Sequence, residues 1–396
     1  MNSVLNKLRQ LKSHGQAKDA GVIRQHISRT RVGLAKGFDR GACQSLEDIA
    51  EFEKLEDGLY RIRKTFPIEG GRALTIGSMM PYLDSNQVDP AHLVFIDTET
   101  NGLGTASGTI AFMIGILKII GNNIHVEQFL ISRYSAEKAM LQYLIDCFAK
   151  NSILVSYNGK QFDVPLLQAR LRLAGLDYRF DQHQHIDLLY PVRLAFSGLW
   201  SGCGLQVAEQ RLLGVYRDDD LPGSEAPRVW FEFLRQGKTA DMIRLLTHNF
   251  QDLHSLALLI FKLDQIYLNP SEFVLDRARI ARRKVRENRL EEACSLLMKS
   301  ENTPEKLLLA EIYRGMGRWQ NAVEIWSSLA REGCQQSILA LAKYYEHRQK
   351  DFAQATTFSL QLYGLSPCTA HARRLERLGR RLRSASLGPL IAKDSV

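Results

Sequence analysis

Leu93-Val94-Phe95-Ile96 is an apolar run that ends in Asp97-Thr98-Glu99, and this junction constrains the chain more than any other stretch. Successive side chains on a strand point to opposite faces, so residues two apart share a face. Asp97 and Glu99 therefore stand side by side where a buried strand ends. Two carboxylates at that spacing repel and raise each other's pKa, and a cation between them removes the cost. The plain alternative is a turn begun by Asp97, with Glu99 solvated. The choice depends on whether other carboxylates arrive at matching places.

The surrounding pattern is that of a mixed sheet. His92–Thr100 reads as a buried strand, Thr109–Ile120 as a second and Asn123–Ser132 as a third, with Gly121-Asn122-Asn123 as a hairpin turn between them. Ser135–Lys150 has apolar residues at helical spacing, with Ser135 as the expected N-cap. Ser152–Gly159 is a fourth strand, and Asp163–Gly175 a helix that ends at its glycine. Three strands in hairpins followed by alternating helix and strand predict an α/β fold. Residues 225–268 read as largely helical.

From about residue 272 the pattern changes to helix pairs. Alanines recur twelve or thirteen apart (Ala281 and Ala293, Ala310 and Ala322, Ala342 and Ala355), beside the large residues Tyr313, Trp326, Tyr345 and Phe358. Small residues at fixed places let paired helices approach closely and share a core. The unit Leu307–Ala330 closely resembles a tetratricopeptide repeat, and an ordinary helical bundle is the alternative. Four regions follow: a basic N-terminal arm and lead-in over 1–90, whose strand-like stretches at 58–68 and 72–80 could lead into a sheet, an α/β domain over 91–268, helical repeats over 272–365, and a basic tail over 366–396.

Two further carboxylates lie where the fold turns. Asp163 follows the fourth strand at the start of a helix, where by itself it would be an N-cap. Asp252 lies four residues after His248, so the two share one helical face a turn apart. The order is then an acidic pair at the end of a first strand, an Asp after Asn158-x-x-x-Phe162, and a late helical Asp preceded by a base. This order resembles the DEDD exonucleases of the ribonuclease-H-like (DnaQ-like) superfamily. The stretches 95–115, 157–167 and 217–256 look like its bacterial YprB-type branch, which can carry tetratricopeptide repeats. The resemblance covers roughly residues 90–265.

The resemblance implies a ribonuclease-H-like mixed sheet flanked by helices and a 3′→5′ exonuclease. Asp97, Glu99, Asp163 and Asp252 would hold two Mg²⁺ or Mn²⁺ ions, His248 would be the general base, and Thr98, Asn158 and Phe162 would lie beside substrate. Phosphodiester hydrolysis with two cations about 3.5–4 Å apart needs such a carboxylate set, and hard cations prefer oxygen ligands. One departure is clear. Where the superfamily uses His it stands five before the last Asp, whereas His248 stands four before, the place of Tyr in a sister group. An endonuclease of the same fold and a non-catalytic nucleic-acid-binding module are the rival readings.

The remaining features give weaker expectations. Gly102, Gly104 and Gly108 do not form a dinucleotide loop. His183 and His185 lack a third ligand, so no metal site is expected there, and Asp187 is expected to cap the next helix. Asp218–Asp220 read as a solvated loop, and His254 as structural. Six scattered cysteines without a CxxC pair fit reduced thiols and a cytoplasmic location. No apolar run is long enough to span a bilayer. The net charge of +9 suits a polyanion such as DNA or RNA, and the repeats suit a protein partner.

Overall fold

The computed structural model describes residues 51–67, 88–102, 108–217 and 220–386, without the side chains of the last two. The N-terminal arm, the strand-like stretch at 72–80, Gly104, Asp218, Asp219 and the end of the basic tail lie outside the described residues. The chain divides into two compact units between Val274 and Leu275.

The described residues of the first unit form seven strands: β1 (Glu53–Glu56), β2 (Leu59–Pro67), β3 (Leu93–Thr100), β4 (Ala111–Ile120), β5 (Asn123–Ile131), β6 (Ile153–Ser156) and β7 (Gln184–Asp187). They lie in the order β1-β2-β5-β4-β3-β6-β7. The pairs from β1 through to β3 are antiparallel, whereas β3–β6 and β6–β7 are parallel. The expected mixed sheet is present, and it extends further than the sequence reading placed it. β2 falls on the strand-like stretch 58–68 of the lead-in, while β1 and β7 are the strands added.

Local chemistry explains the hairpin. Ile120 pairs with Asn123, so the β4–β5 connection is the two residues Gly121-Asn122. Gly121 has φ +58°, a conformation that costs glycine little. β4 is buried along nearly its whole length, which is why it reads as a continuous apolar run.

The helices of this unit are α1 (Glu137–Asp146), α2 (Asp163–Leu173), α3 (Leu189–Phe196), α4 (Leu205–Ala208), α5 (Ala226–Gln236) and α6 (Ala240–Leu268). Two caps differ from expectation. Ser135 lies inside a 3₁₀ turn, Tyr134–Ala136, and does not cap α1. Asp163 is the first helical residue of α2, with Phe162 at the N-cap position. Trp230 of α5 stacks on Phe112 of β4 at 5.0 Å and donates to the Ile131 carbonyl at 3.1 Å, which seals one end of the core.

The second unit is all helix: α7 (Arg277–Arg286), α8 (Leu290–Leu297), α9 (Thr303–Gly315), α10 (Trp319–Arg331), α11 (Gln335–Lys343), α12 (Phe352–Leu365) and α13 (Thr369–Ser386). α7 packs on α8, α9 on α10 and α11 on α12. All six of the periodic alanines are fully buried, as close helix approach requires. Between α11 and α12 a π-helical turn carries Glu346, which is buried and pairs with Arg374 and Arg377 of α13. No described helix is long and apolar enough to cross a membrane, and the five described cysteines are free thiols.

Candidate functional site

Three elements bring the predicted acids together. β3 presents Asp97 and Glu99, in register with Gly115 and Met113 of β4. The parallel strand β6 lies against the other edge of β3, and the turn after it delivers Asp163. Thr98 donates from its hydroxyl to Asp163 Oδ1 at 2.5 Å, which ties the two strand ends together. α6 supplies His248 and Asp252.

The turn that carries Asp163 is organised by a residue the sequence reading undervalued. Asp187, at the end of β7 and fully buried, accepts from the backbone N–H of Asn158 at 2.7 Å and of Lys160 at 3.0 Å. It also accepts from the N–H of Leu189, the first residue of α3, at 3.1 Å, although Leu188 and not Asp187 holds the N-cap position. Asn158 takes part through its backbone, in the left-handed conformation at φ 67°. The next residue must be small, because a Cβ on Gly159 would lie 2.4 Å from Ser156 Oγ. Phe162 is exposed, consistent with a place at the rim.

A second device seats α6 over the sheet. Asn249 donates from Nδ2 to Asp97 Oδ2 at 2.8 Å and accepts from Gln128 Nε2 at 2.8 Å. Gly115 makes room for it. A Cβ there would stand 2.2 Å from Asn249 Oδ1 and 2.7 Å from Leu253 Cδ1. A glycine inside a buried strand, opposite the first acid, was the legible signal of this close approach. Gly115→Ala is expected to destabilise the protein by about 1–3 kcal/mol, as overpacking of a core does, and an unchanged urea midpoint would count against the assignment.

The acids repel one another. Burial raises the Asp97 carboxyl well above its ordinary range, and Asp252, Glu99 and Asp163 add to the rise. Glu99, 6% exposed, is pushed up to about 8, first by burial and then by Asp252 and Asp163, against an opposing pull from His248. Asp163 rises to about 6 because it is buried, although its hydrogen bonds from Thr98 hold it down. Buried carboxylates in mutual repulsion are the state a cation relieves.

His248 is held by a residue expected to be solvated. Its Nδ1 lies 2.8 Å from Asp220 Oδ1, and its Nε2 lies 3.6 Å from Asp252 Oδ2. Burial alone would lower the imidazole, but Asp220, Asp252 and Glu99 outweigh it and raise it to about 9. Asp220 is thus no loop carboxylate in water. Burial pushes its carboxyl up, and His248 and Arg217 more than reverse that. Arg217 itself links Glu209, Asp220 and Asp252. It stands 35 residues from Asp252, and no spacing rule points to it.

His254 is buried and stacks on Phe250 at 6.2 Å. His183 lies 2.6 Å from the Tyr178 hydroxyl. His185 Nε2 lies 2.7 Å from Ser156 Oγ. Burial, with Lys160 adding to it, lowers the His185 imidazole to about 3. The unfolded chain takes up this proton near pH 6.5 and the folded one does not. Stability is therefore lost as pH falls from about 6.5 towards 3, by up to roughly 1.4 kcal/mol per pH unit. His185→Gln should flatten that part of the pH–stability curve; an unaltered slope in denaturant titrations would refute it.

Whether the set fits a metal has two sides. Among the described residues no group of three or more His, Cys, Asp or Glu side chains stands ready to hold an ion. The donor chemistry does fit one: oxygen-only ligands, buried and short of positive charge, suit Mg²⁺ or Mn²⁺ over softer metals.

Residues 94–263 match the family model of the RNase_H superfamily, a similarity that suggests nuclease-type activity. The chain is also similar to the "Uncharacterized protein YprB" of Bacillus subtilis (strain 168), with 28% identity over 291 residues and 70% of each chain covered. Among solved structures it matches the family B DNA polymerase of Pyrobaculum calidifontis at 14% identity and a TM-score of 0.36. That match covers 64% of this chain and about a third (33%) of the polymerase, and it carries no argument about function.

Proposed function

We propose that the first unit is a metal-dependent nuclease that hydrolyses phosphodiester bonds of DNA or RNA as a 3′→5′ exonuclease. The observation that carries this reading is the convergence of Asp97, Glu99, Asp163 and Asp252, from three elements distant in sequence, beside His248 within a ribonuclease-H superfamily domain.

Asp97, Glu99, Asp163 and Asp252 would hold two Mg²⁺ or Mn²⁺ ions. Such ions lower the pKa of a bound water and stabilise charge on the leaving oxygen. The chain's own residues do the rest. Asp220 accepts the Nδ1 proton of His248, which leaves Nε2 to face Glu99 and Asp252 and to take a proton from the attacking water. His248 is cationic while the acids beside it are uncompensated, so it becomes a base only after their charge is balanced. Asn249 and Gln128 keep Asp97 from turning away. The second unit is proposed as a tetratricopeptide-like scaffold for a protein partner, on the strength of its paired helices and buried alanines.

The test is direct. End-labelled DNA and RNA strands are incubated with Mg²⁺ or Mn²⁺ and the products resolved by length. A ladder shortening from the 3′ end is expected. Cleavage of a circular strand would move the assignment to an endonuclease, and no product with either metal on either polymer would overturn the enzyme reading.

A further inference from the structure

Arg217 is used by none of the steps above, yet it is the most elaborately held cation of the site. Its side chain is 6% exposed, and those of Glu209, Asp220 and Asp252 are 1%, 13% and 14% exposed. The guanidinium grips Glu209 with two bonds, Nε to Oε2 at 2.8 Å and Nη2 to Oε1 at 2.5 Å. Nη1 donates to Asp220 Oδ2 at 3.3 Å, and Nη2 also donates to Oδ1 of Asp252.

Two consequences follow from this geometry. The donors of Arg217 are turned onto carboxylates, so the side chain is not offered to a substrate phosphate. Asp252 is also unlike the other three acids. Asp97, Glu99 and Asp163 make no ion pair among the described residues, whereas Asp252 has a guanidinium on Oδ1 and the His248 ring near Oδ2. Divalent-cation affinity rises with the number of uncompensated charged ligands. Three acids are short of positive charge, and the fourth is not.

We propose that Arg217 stands in for a divalent cation at Asp252 in the substrate-free protein. The free protein then binds one Mg²⁺ or Mn²⁺, through Asp97, Glu99 and Asp163. A second ion joins only when a substrate phosphate brings negative charge of its own. Glu209 is the anchor that keeps the guanidinium in place, and Asp220 couples its position to the ring of His248. This rests on the metal-dependent reading above and adds the order in which charge is supplied.

The experiment counts Mn²⁺ bound per chain, by calorimetry and by electron paramagnetic resonance of free Mn²⁺, on the full-length protein without nucleic acid. The wild type should bind one ion. The double variant Arg217→Gln with Glu209→Gln, which removes the guanidinium together with its Glu209 anchor and frees Asp252, should bind two. Asp252→Asn should still bind one, with affinity changed by much less than the roughly 10-fold or more that loss of a supporting ligand costs. Two ions on the wild type, or one on a double variant that melts cooperatively, would overturn the role of Arg217 and leave the metal site standing. If the double variant does not fold, Asp252→Asn decides: loss of the single ion overturns the proposal. A wild type that binds no Mn²⁺ at millimolar concentration would overturn the metal reading itself.

Discussion

His248→Ala lowers turnover roughly 10²–10⁴-fold, the usual worth of a positioned general base, while Mn²⁺ binding is retained. The two halves of this expectation come from different atoms. The Nε2 of His248 faces the acids without being one of them, so removing it leaves the carboxylates in place. Its Nδ1 is spent on Asp220, which fixes the ring. Asp220→Asn should therefore also slow turnover, by less, since the ring loses its orienting partner and keeps its Nε2. His254→Ala is the control. That residue is buried against Phe250, so its loss should cost stability and leave the pH dependence of turnover alone. Near-normal turnover in His248→Ala, measured by single-turnover hydrolysis with saturating metal, would remove the base assignment.

Glu99→Gln abolishes activity and, in the absence of metal, makes the protein more stable at pH 8–9. The carboxyl of Glu99 sits at about 8 when folded, raised mainly by burial, against an ordinary value near 4.5. A raised acid opposes folding once it ionises, so the stability associated with its neutral form is lost as pH rises through about 4.5 to 8. The amide is isosteric and cannot ionise. The gain is up to roughly 5 kcal/mol at pH 9, read as a higher midpoint in denaturant with a chelator present. Mn²⁺ should raise the melting temperature of the wild type, since a ligand bound only to the folded state stabilises it, and should do so far less in the variant. A variant less stable than the wild type under chelation would show that Glu99 is not held under repulsion.

Much of the sheet was legible because its signals are local. β3, β4 and β5 are long, apolar and joined by short turns, and α6 carries its pattern over 29 residues. β7 was not legible. Gln184-His185-Ile186-Asp187 contains a single aliphatic residue and becomes a strand only by pairing in parallel with β6, about 30 residues earlier. Ser135 misled for the opposite reason: a good N-cap residue sits in a 3₁₀ turn, so the helix begins after it.

The site divides in the same way. Period and spacing alone put Asp97 and Glu99 at a strand end, Asp163 at a helix start and His248 one turn before Asp252, and the resemblance to the DEDD exonucleases grouped them. The repulsion between Asp97 and Glu99 was readable too, since that follows from charge and strand geometry. Arg217, Glu209, Asp220, Asn249 and Gln128 were not readable, because each acts through a partner 8 to 152 residues away. Local sequence determines which face of an element a side chain takes. It does not determine which buried charges end up within hydrogen-bond reach, because that depends on how α6 settles on Gly115 and on where the segment after α4 closes. The amino-acid sequence therefore determined the acids and their order, while the tertiary structure decided which acid is already balanced and which ring nitrogen faces the site.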